Sequence, residues 1–181
     1  MKTRLDKDEL WPDKFPNSFQ NRVRETIEYL MTQDLSGKIA DCGEDNPMKR
    51  SIEIMLLLQI DSIDWDFNEP SYISETYDKI LCFEVLEHVM NPLLFLNELK
   101  RMLNPNGIIY LSTPYQRPQI LKAAHHYHEI PSDRLQWLFE AAQLTILDKK
   151  KITIAGNWYD HISGIRPALR YFQHTRLYKL R

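Results

Sequence analysis

The stretch Tyr77–Pro114, YDKILCFEVLEHVMNPLLFLNELKRMLNPNGIIYLSTP, decides the fold. It opens on Tyr77-Asp-Lys-Ile-Leu-Cys-Phe83, an apolar run with the length and density of a buried strand. Asn91-Pro92 then starts a helix, because Asn accepts an orphan amide and Pro has no N–H to lose in the first turn. Leu93, Leu96, Leu99 and Leu103 recur at helical spacing and are expected to face a core, with Glu98, Lys100 and Arg101 outside. Asn104-Pro-Asn-Gly107 reads as a turn, Ile108–Leu111 as the next strand, and Pro114 as its end. Two buried strands joined by a helix of this length predict a parallel crossover.

Upstream, Ser18 is placed to cap a helix carrying Phe19, Val23, Ile27 and Leu30, with Gly37 beyond its end. Lys38-Ile-Ala-Asp-Cys-Gly43 is a short strand running into a glycine turn. Pro47 opens a helix over 48–58 that is apolar on most sides and is expected to be largely buried. Ile60–Phe67 alternates apolar residues with aspartates, as a strand does. Residues 1–17, polar and holding Pro12 and Pro16, read as an arm preceding one domain over 18–181.

Downstream, Ser132 is placed to cap a helix with Leu135, Leu138 and Phe139 inward. Leu144–Leu147, Ile152–Ile154 and Thr175–Leu180 read as strands, and Pro167–Gln173 as a short helix. Strands alternating with helices predict an α/β fold, a mainly parallel sheet covered on both faces. Ligands of such sheets bind outside the carboxyl ends of the strands.

The 181 residues suit one domain, and 43% hydrophobic with 27% charged residues is a globular balance. A net charge of -2 gives no footprint for nucleic acid or an anionic membrane. Two cysteines, Cys42 and Cys82, are too few for a disulfide framework or a structural zinc site. They are expected to be reduced, and the compartment cytoplasmic. The charged N-terminus does not read as a signal peptide, and no apolar run approaches the ~20 residues of a membrane span.

The segment FEVLEHVMNP followed by NELKRMLNPNG resembles the fourth strand, following helix and fifth strand of the class I S-adenosylmethionine-dependent methyltransferases. HEIPSDRLQWLFEAAQL resembles that family's next helix and strand, with Gln143-Leu144 where Gly-Phe is usual. The resemblance implies a Rossmann-like, seven-stranded sheet ending in an antiparallel hairpin, with S-adenosylmethionine lying over its first and fourth strands. The row Asp41-Cys-Gly43-Glu-Asp45-Asn46 matches the family's first motif at Asp41 and Gly43, and carries Asp45 in place of a second glycine. Only about one helix and one or two strands fit between Gly43 and Tyr77, so the cofactor half is shortened.

The resemblance implies cofactor contacts from Asp41 and Gly43, from Asp64 or Asp66 to the ribose, and from the backbone of Phe83, Glu84 and Val85 beside the methionine moiety. His88 is the candidate general base, an imidazole being suited to proton transfer near neutral pH. Each has a simpler alternative. Asp41 and Gly43 fit an ordinary strand-to-helix connection, and Asp64 and Asp66 a solvated acidic turn. Phe83 and Val85 fit core packing, and His88 a capping or packing role.

Glu84, Glu87 and His88 with His126 or His128 resemble the divalent-ion site of the small-RNA 2′-O-methyltransferases. The same Glu-His pair is widespread in the superfamily without metal, and no residue is assigned to a metal here. His125, His126, Tyr127 and His128 with Tyr115, Arg117 and Trp137 read either as a substrate-facing wall or as an exposed aromatic loop. Arg166, Arg170, Arg176, Lys179 and Arg181 read as a solvated basic face.

The expected function is methyl transfer to an oxygen or nitrogen of a small-molecule, lipid or glycan acceptor. The rival is a degenerate methyltransferase fold serving as a binding or scaffold subunit, with a homo-oligomer covering the shortened sheet edge as a further expectation. A nicotinamide-dependent oxidoreductase would require the G-x-G-x-x-G turn, which the sequence lacks.

Overall fold

The computed structural model describes residues 16–116, 126–153 and 174–181. In chain order the elements are α1 (Asn17–Leu30), β1 (Ile39–Cys42), α2 (Pro47–Leu56), β2 (Ile60–Ile63), β3 (Tyr77–Phe83), a 3₁₀ turn (Leu86–His88), α3 (Pro92–Arg101), β4 (Leu103–Pro114), α4 (Ser132–Ala141), β5 (Ile146–Thr153) and β6 (His174–Leu180). The described strands form one six-stranded sheet in the order β2-β1-β3-β4-β6-β5. The first four run parallel, and β6 joins β4 and β5 antiparallel. This is the α/β architecture with a terminal antiparallel hairpin that the sequence predicts. The described residues hold six strands rather than seven, and β2 is an edge.

The sheet is sandwiched because its strands are apolar on both faces. On one side Ile80, Cys82, Phe95, Leu96, Leu99, Leu111, Leu135 and Phe139 form the larger core. On the other, Val23, Ile27 and Leu30 of α1 and Ile52 of α2 cover Ile39, Leu81, Tyr110 and Leu177. Trp65 and Phe67 pack on Phe95 at centroid separations of 5.8 and 5.1 Å, so the 64–76 connection folds onto α3. Cys42 and Cys82 are buried free thiols on adjacent strands.

Several local expectations are corrected. Ser18 is not the cap of α1; the cap position is Pro16, which has no side chain able to accept from the first turn. Ser132 does not cap α4 either, since Pro131 holds that position. The 48–58 helix is not largely buried: Ile54, Met55 and Leu57 are exposed, Leu57 at 91%. Among the described residues no strand lies beyond β2 to cover them. Leu93 is exposed rather than in the core, and Leu103 begins β4, packed against the larger core. The Asn104–Gly107 turn is an irregularity within β4, where the register with β3 shifts and Asn106 takes φ 65°. The two short strands at Leu144–Leu147 and Ile152–Ile154 are one strand, β5. It is an edge strand, so its Lys149-Lys-Lys151 run reaches water. The helix expected at Pro167–Gln173 and almost all of the arm at 1–17 lie outside the described residues.

Candidate functional site

A cleft of about 550 Å³ opens at the carboxyl ends of the parallel strands. Ser18, Phe19 and Arg22 of α1 form one wall, and Asn46, Pro47 and Met48 at the start of α2 form another. Phe83, Glu84, Glu87 and His88 make the floor, and Pro114, His126 and His174 close the far side.

The Asp41–Asn46 turn is set by backbone geometry. Gly43 has φ 105°, and a Cβ there would meet nothing within 4 Å, so the conformation rather than space requires glycine. Its amide bonds the Ile63 carbonyl at 2.8 Å, tying the turn to the end of β2. Asp45 is not among the described non-glycine residues with positive φ. Its carboxylate pairs with the Arg50 guanidinium in the solvent, so its position does not need the glycine usual there. Asn46 does two jobs: Oδ1 accepts from the Lys49 amide, capping α2, and Nδ2 donates to Asp41 at 2.9 Å. Asp41 is only 3% exposed, and burial pushes its carboxyl up to about 7 despite the Asn46 hydrogen bond.

Asp64 follows β2 directly, beside the Gly43 turn, because Cys42 and Ile63 are register partners. Asp66 is occupied locally, its Oδ1 accepting from the Asn68 amide and side chain at 3.0 and 3.2 Å. These are bonds that a solvated acidic turn makes. Neither aspartate lines the cleft. Phe83 does, whereas Val85 packs against the larger core.

Glu84 takes φ 57°, a strained conformation for a residue with a side chain. It is fixed from several directions. Its amide donates to the Ser112 carbonyl at 3.1 Å. Its carboxylate accepts from Arg22 Nη1 at 2.9 Å, from Ser112 Oγ at 2.8 Å and from Thr175 Oγ1 at 2.5 Å. Nothing in the sequence pointed to Arg22, Ser112 or Thr175, since each comes from a distant element.

Glu87, His88 and His126 offer a carboxylate oxygen and two ring nitrogens that all lie within 4.8 Å of one another. Glu87 is 1% exposed. The His88 and His126 rings meet edge-on at 4.9 Å. Buried Glu129 holds His126 Nδ1 at 3.0 Å, which orients that ring as carboxylates orient metal-ligating histidines. Glu84 stands apart from this group, with its carboxylate engaged by Arg22, Ser112 and Thr175. His128 turns its Nε2 to the Met90 carbonyl at 3.3 Å. The four-residue set resembling the RNA-methyltransferase site therefore narrows to Glu87, His88 and His126. One carboxylate and two imidazoles form a donor set suited to a divalent cation.

The aromatic wall breaks up. His126 faces the cleft, Tyr127 and Trp137 are exposed, and Trp137 stacks under Arg134. Tyr115 packs against Arg176 instead. Arg117 and His125 lie outside the described residues. Of the expected basic C-terminal face, Arg181 is exposed, Arg176 is corrected to a buried residue at 4% exposure, Lys179 donates to Gln33, and Arg166 and Arg170 lie outside the described residues. His174, unremarked in the sequence, lines the cleft, and burial together with Lys151 holds its imidazole below the usual range.

A crossover sheet of this order with its cleft over β1 and β3 is the fold of the class I S-adenosylmethionine-dependent methyltransferases. A methyltransferase-domain family model matches residues 45–149, more than half of the chain, and the chain belongs to that family. It is 33% identical over 107 residues to a ubiquinone biosynthesis O-methyltransferase of Pasteurella multocida (strain Pm70), covering 50% of this chain and 42% of that protein. The chain thus spans about two fifths of the length of the curated relatives it matches. The [4+2]-cyclase SpnF superposes with a TM-score of 0.59 at 15% identity, covering 90% of this chain and 81% of that one. The 1,6-didemethyltoxoflavin-N1-methyltransferase of Burkholderia thailandensis, solved with bound 1,6-didemethyltoxoflavin and S-adenosylhomocysteine, gives a TM-score of 0.58 at 13% identity, covering 96% of this chain and 81% of that one. At such identities the likeness is one of fold. A cyclase on this fold shows that fold alone does not fix the reaction.

Proposed function

We propose that the chain is an S-adenosylmethionine-dependent methyltransferase acting on a hydroxyl of a small-molecule acceptor. The observation that carries this reading is the single cleft joining the Gly43 turn region, the Phe83–His88 floor and His126. When bound, the cofactor's sulfonium supplies the methyl group.

The chain's own residues have separable roles in this reading. Arg22 lines the cleft as its cation on the α1 wall, and in this reading its guanidinium binds the cofactor's carboxylate. The N-terminus of α2 adds favourable partial charge on the same side. Asp64 is the candidate ribose acceptor, and Phe83 an apolar wall. His88 takes the proton of the acceptor hydroxyl on a ring nitrogen as the oxygen attacks. Most of the acceleration comes from holding that oxygen in line with the methyl group. The ubiquinone O-methyltransferase relatives support an oxygen acceptor.

A second reading rests on the Glu87–His88–His126 group. In it these residues would hold a divalent cation, which would supply Lewis-acid chemistry to an acceptor hydroxyl.

Calorimetric titration with S-adenosylhomocysteine, with and without added Mg²⁺ or Zn²⁺, tests both. Micromolar binding supports the methyltransferase reading, and no binding at millimolar ligand sinks it in favour of a scaffold subunit. Zinc binding that His126→Ala abolishes supports the metal reading; indifference to that substitution removes it.

A further inference from the structure

A second cleft, of about 370 Å³, lies between the start of α4 and the β5–β6 hairpin. Its cationic side chains are Lys149, Lys150, Lys151 and Arg176, against one carboxylate, Asp133. Lys150 is taken by Glu25 at 3.1 Å. Lys149 and Lys151 form no ion pair among the described residues. Edge-strand lysines discourage strand addition, which accounts for a basic β5 by itself. It does not account for Arg176.

Arg176 is buried, and among the described residues its guanidinium meets only neutral acceptors. Nη1 donates to Ser132 Oγ at 2.7 Å, and Nη2 to the carbonyls of Pro114 and Ile130 at 2.9 and 2.7 Å. Its Nε has no hydrogen-bond partner among the described residues. Tyr115 covers the guanidinium, its ring centroid 4.5 Å away. A buried cation ordinarily has an anionic partner. Lys151 makes the deficit worse, because it is the cross-strand register partner of Arg176, and like charges placed directly opposite repel. At the same spot α4 begins with no side-chain cap, leaving its first amides and positive dipole end toward the cleft.

We propose that this cleft binds a phosphate monoester dianion, held by Lys149, Lys151 and Arg176 with the first amides of α4. Such an anion neutralises the opposed cations of Lys151 and Arg176. The site is distinct from the methyl-transfer cleft and does not depend on that reading. The two are neighbours, since the Tyr115 and His174 rings meet at 6.0 Å between them.

The test is calorimetric titration of the full chain with inorganic phosphate at constant ionic strength, with chloride as control. Lys149 and Lys151 are exposed, so a Lys149→Ala/Lys151→Ala variant keeps the fold. Saturable phosphate binding that weakens at least tenfold in this variant is expected, with S-adenosylhomocysteine binding unchanged. Arg176→Lys, which keeps the charge but not the fork, is expected to weaken phosphate binding as well. Glycerol 3-phosphate and phosphatidylcholine vesicles containing phosphatidic acid separate the sources. Binding of the soluble ester alone assigns a soluble phosphorylated ligand, and lysine-dependent retention on the vesicles assigns a lipid headgroup. No saturation beyond the chloride control, or equal affinity in the double-lysine variant, overturns the proposal.

Discussion

Arg22 of α1 and Glu84 at the end of β3 form a 2.9 Å ion pair, although 62 residues separate them in sequence. Both side chains are mostly buried, at 23% and 16% exposure. The pair anchors the N-terminal helix to the cleft floor and keeps the Glu84 carboxylate away from Glu87, His88 and His126. Replacing Arg22 by Met leaves a largely buried carboxylate with only hydroxyl donors. We expect a loss of about 1–2 kcal/mol in urea unfolding, and an S-adenosylhomocysteine affinity reduced at least tenfold in calorimetry. Unchanged affinity would remove Arg22 from the cofactor site.

Asp41 makes stability depend on pH. Its folded pKa is raised from 3.8 to about 7 by burial, so the protonated form is favoured in the native state. The stabilisation is full below pH 4 and is lost as pH rises through about 7, amounting to on the order of a few kcal/mol. Asp41→Asn keeps an acceptor for Asn46 and cannot ionise. Urea midpoints measured at pH 5 and 8.5 should therefore fall for the parent protein and change much less for the variant. Parallel falls in both would exclude Asp41 as the source.

Leu57 ends α2 with φ 55° and a side chain that is 91% exposed. A leucine in the left-handed region costs roughly 1–2 kcal/mol, and here the side chain returns little packing. Leu57→Gly should stabilise the protein by about 1 kcal/mol, raising Tm by roughly 2–4 °C in a scanning thermal melt. A lower Tm would mean that the exposed leucine makes a contact worth more than the strain.

Glu129 acts on the site through His126. Glu129→Gln keeps its volume but weakens its hold on Nδ1. If the Glu87–His88–His126 group takes a divalent ion, zinc affinity should fall about 10–100-fold, with the thermal transition of the metal-free protein within a few degrees of the parent. Parent-like zinc affinity would show that the buried glutamate serves packing alone.

The larger part of the fold was legible in the chain because it rests on local rules. Asn91-Pro92 does cap α3, with the Asn91 side chain accepting from the Leu94 amide. Gly43 has the positive φ of a tight strand-to-helix turn. Gln143, standing where glycine is usual, takes φ 55°, so the turn is preserved at the expense of strain. The caps of α1 and α4 misled because a serine near a helix start satisfies the local rule whether or not its hydroxyl is engaged elsewhere. Ser132 is engaged by Arg176, 44 residues away.

By itself, the sequence determined the alternation of strands and helices, the family and the region of the cleft, because apolar period, capping and turn chemistry act over a few residues. Tertiary structure alone decided which polar groups meet. Periodicity carries no information on contacts between Arg22 and Glu84, Glu84 and Thr175, or Arg176 and the start of α4. It also cannot tell a buried cation from a solvated one, since burial is settled by how the hairpin β5–β6 packs beside α4. The basic C-terminal residues therefore look alike in sequence, while Arg176 is enclosed and forms no ion pair among the described residues.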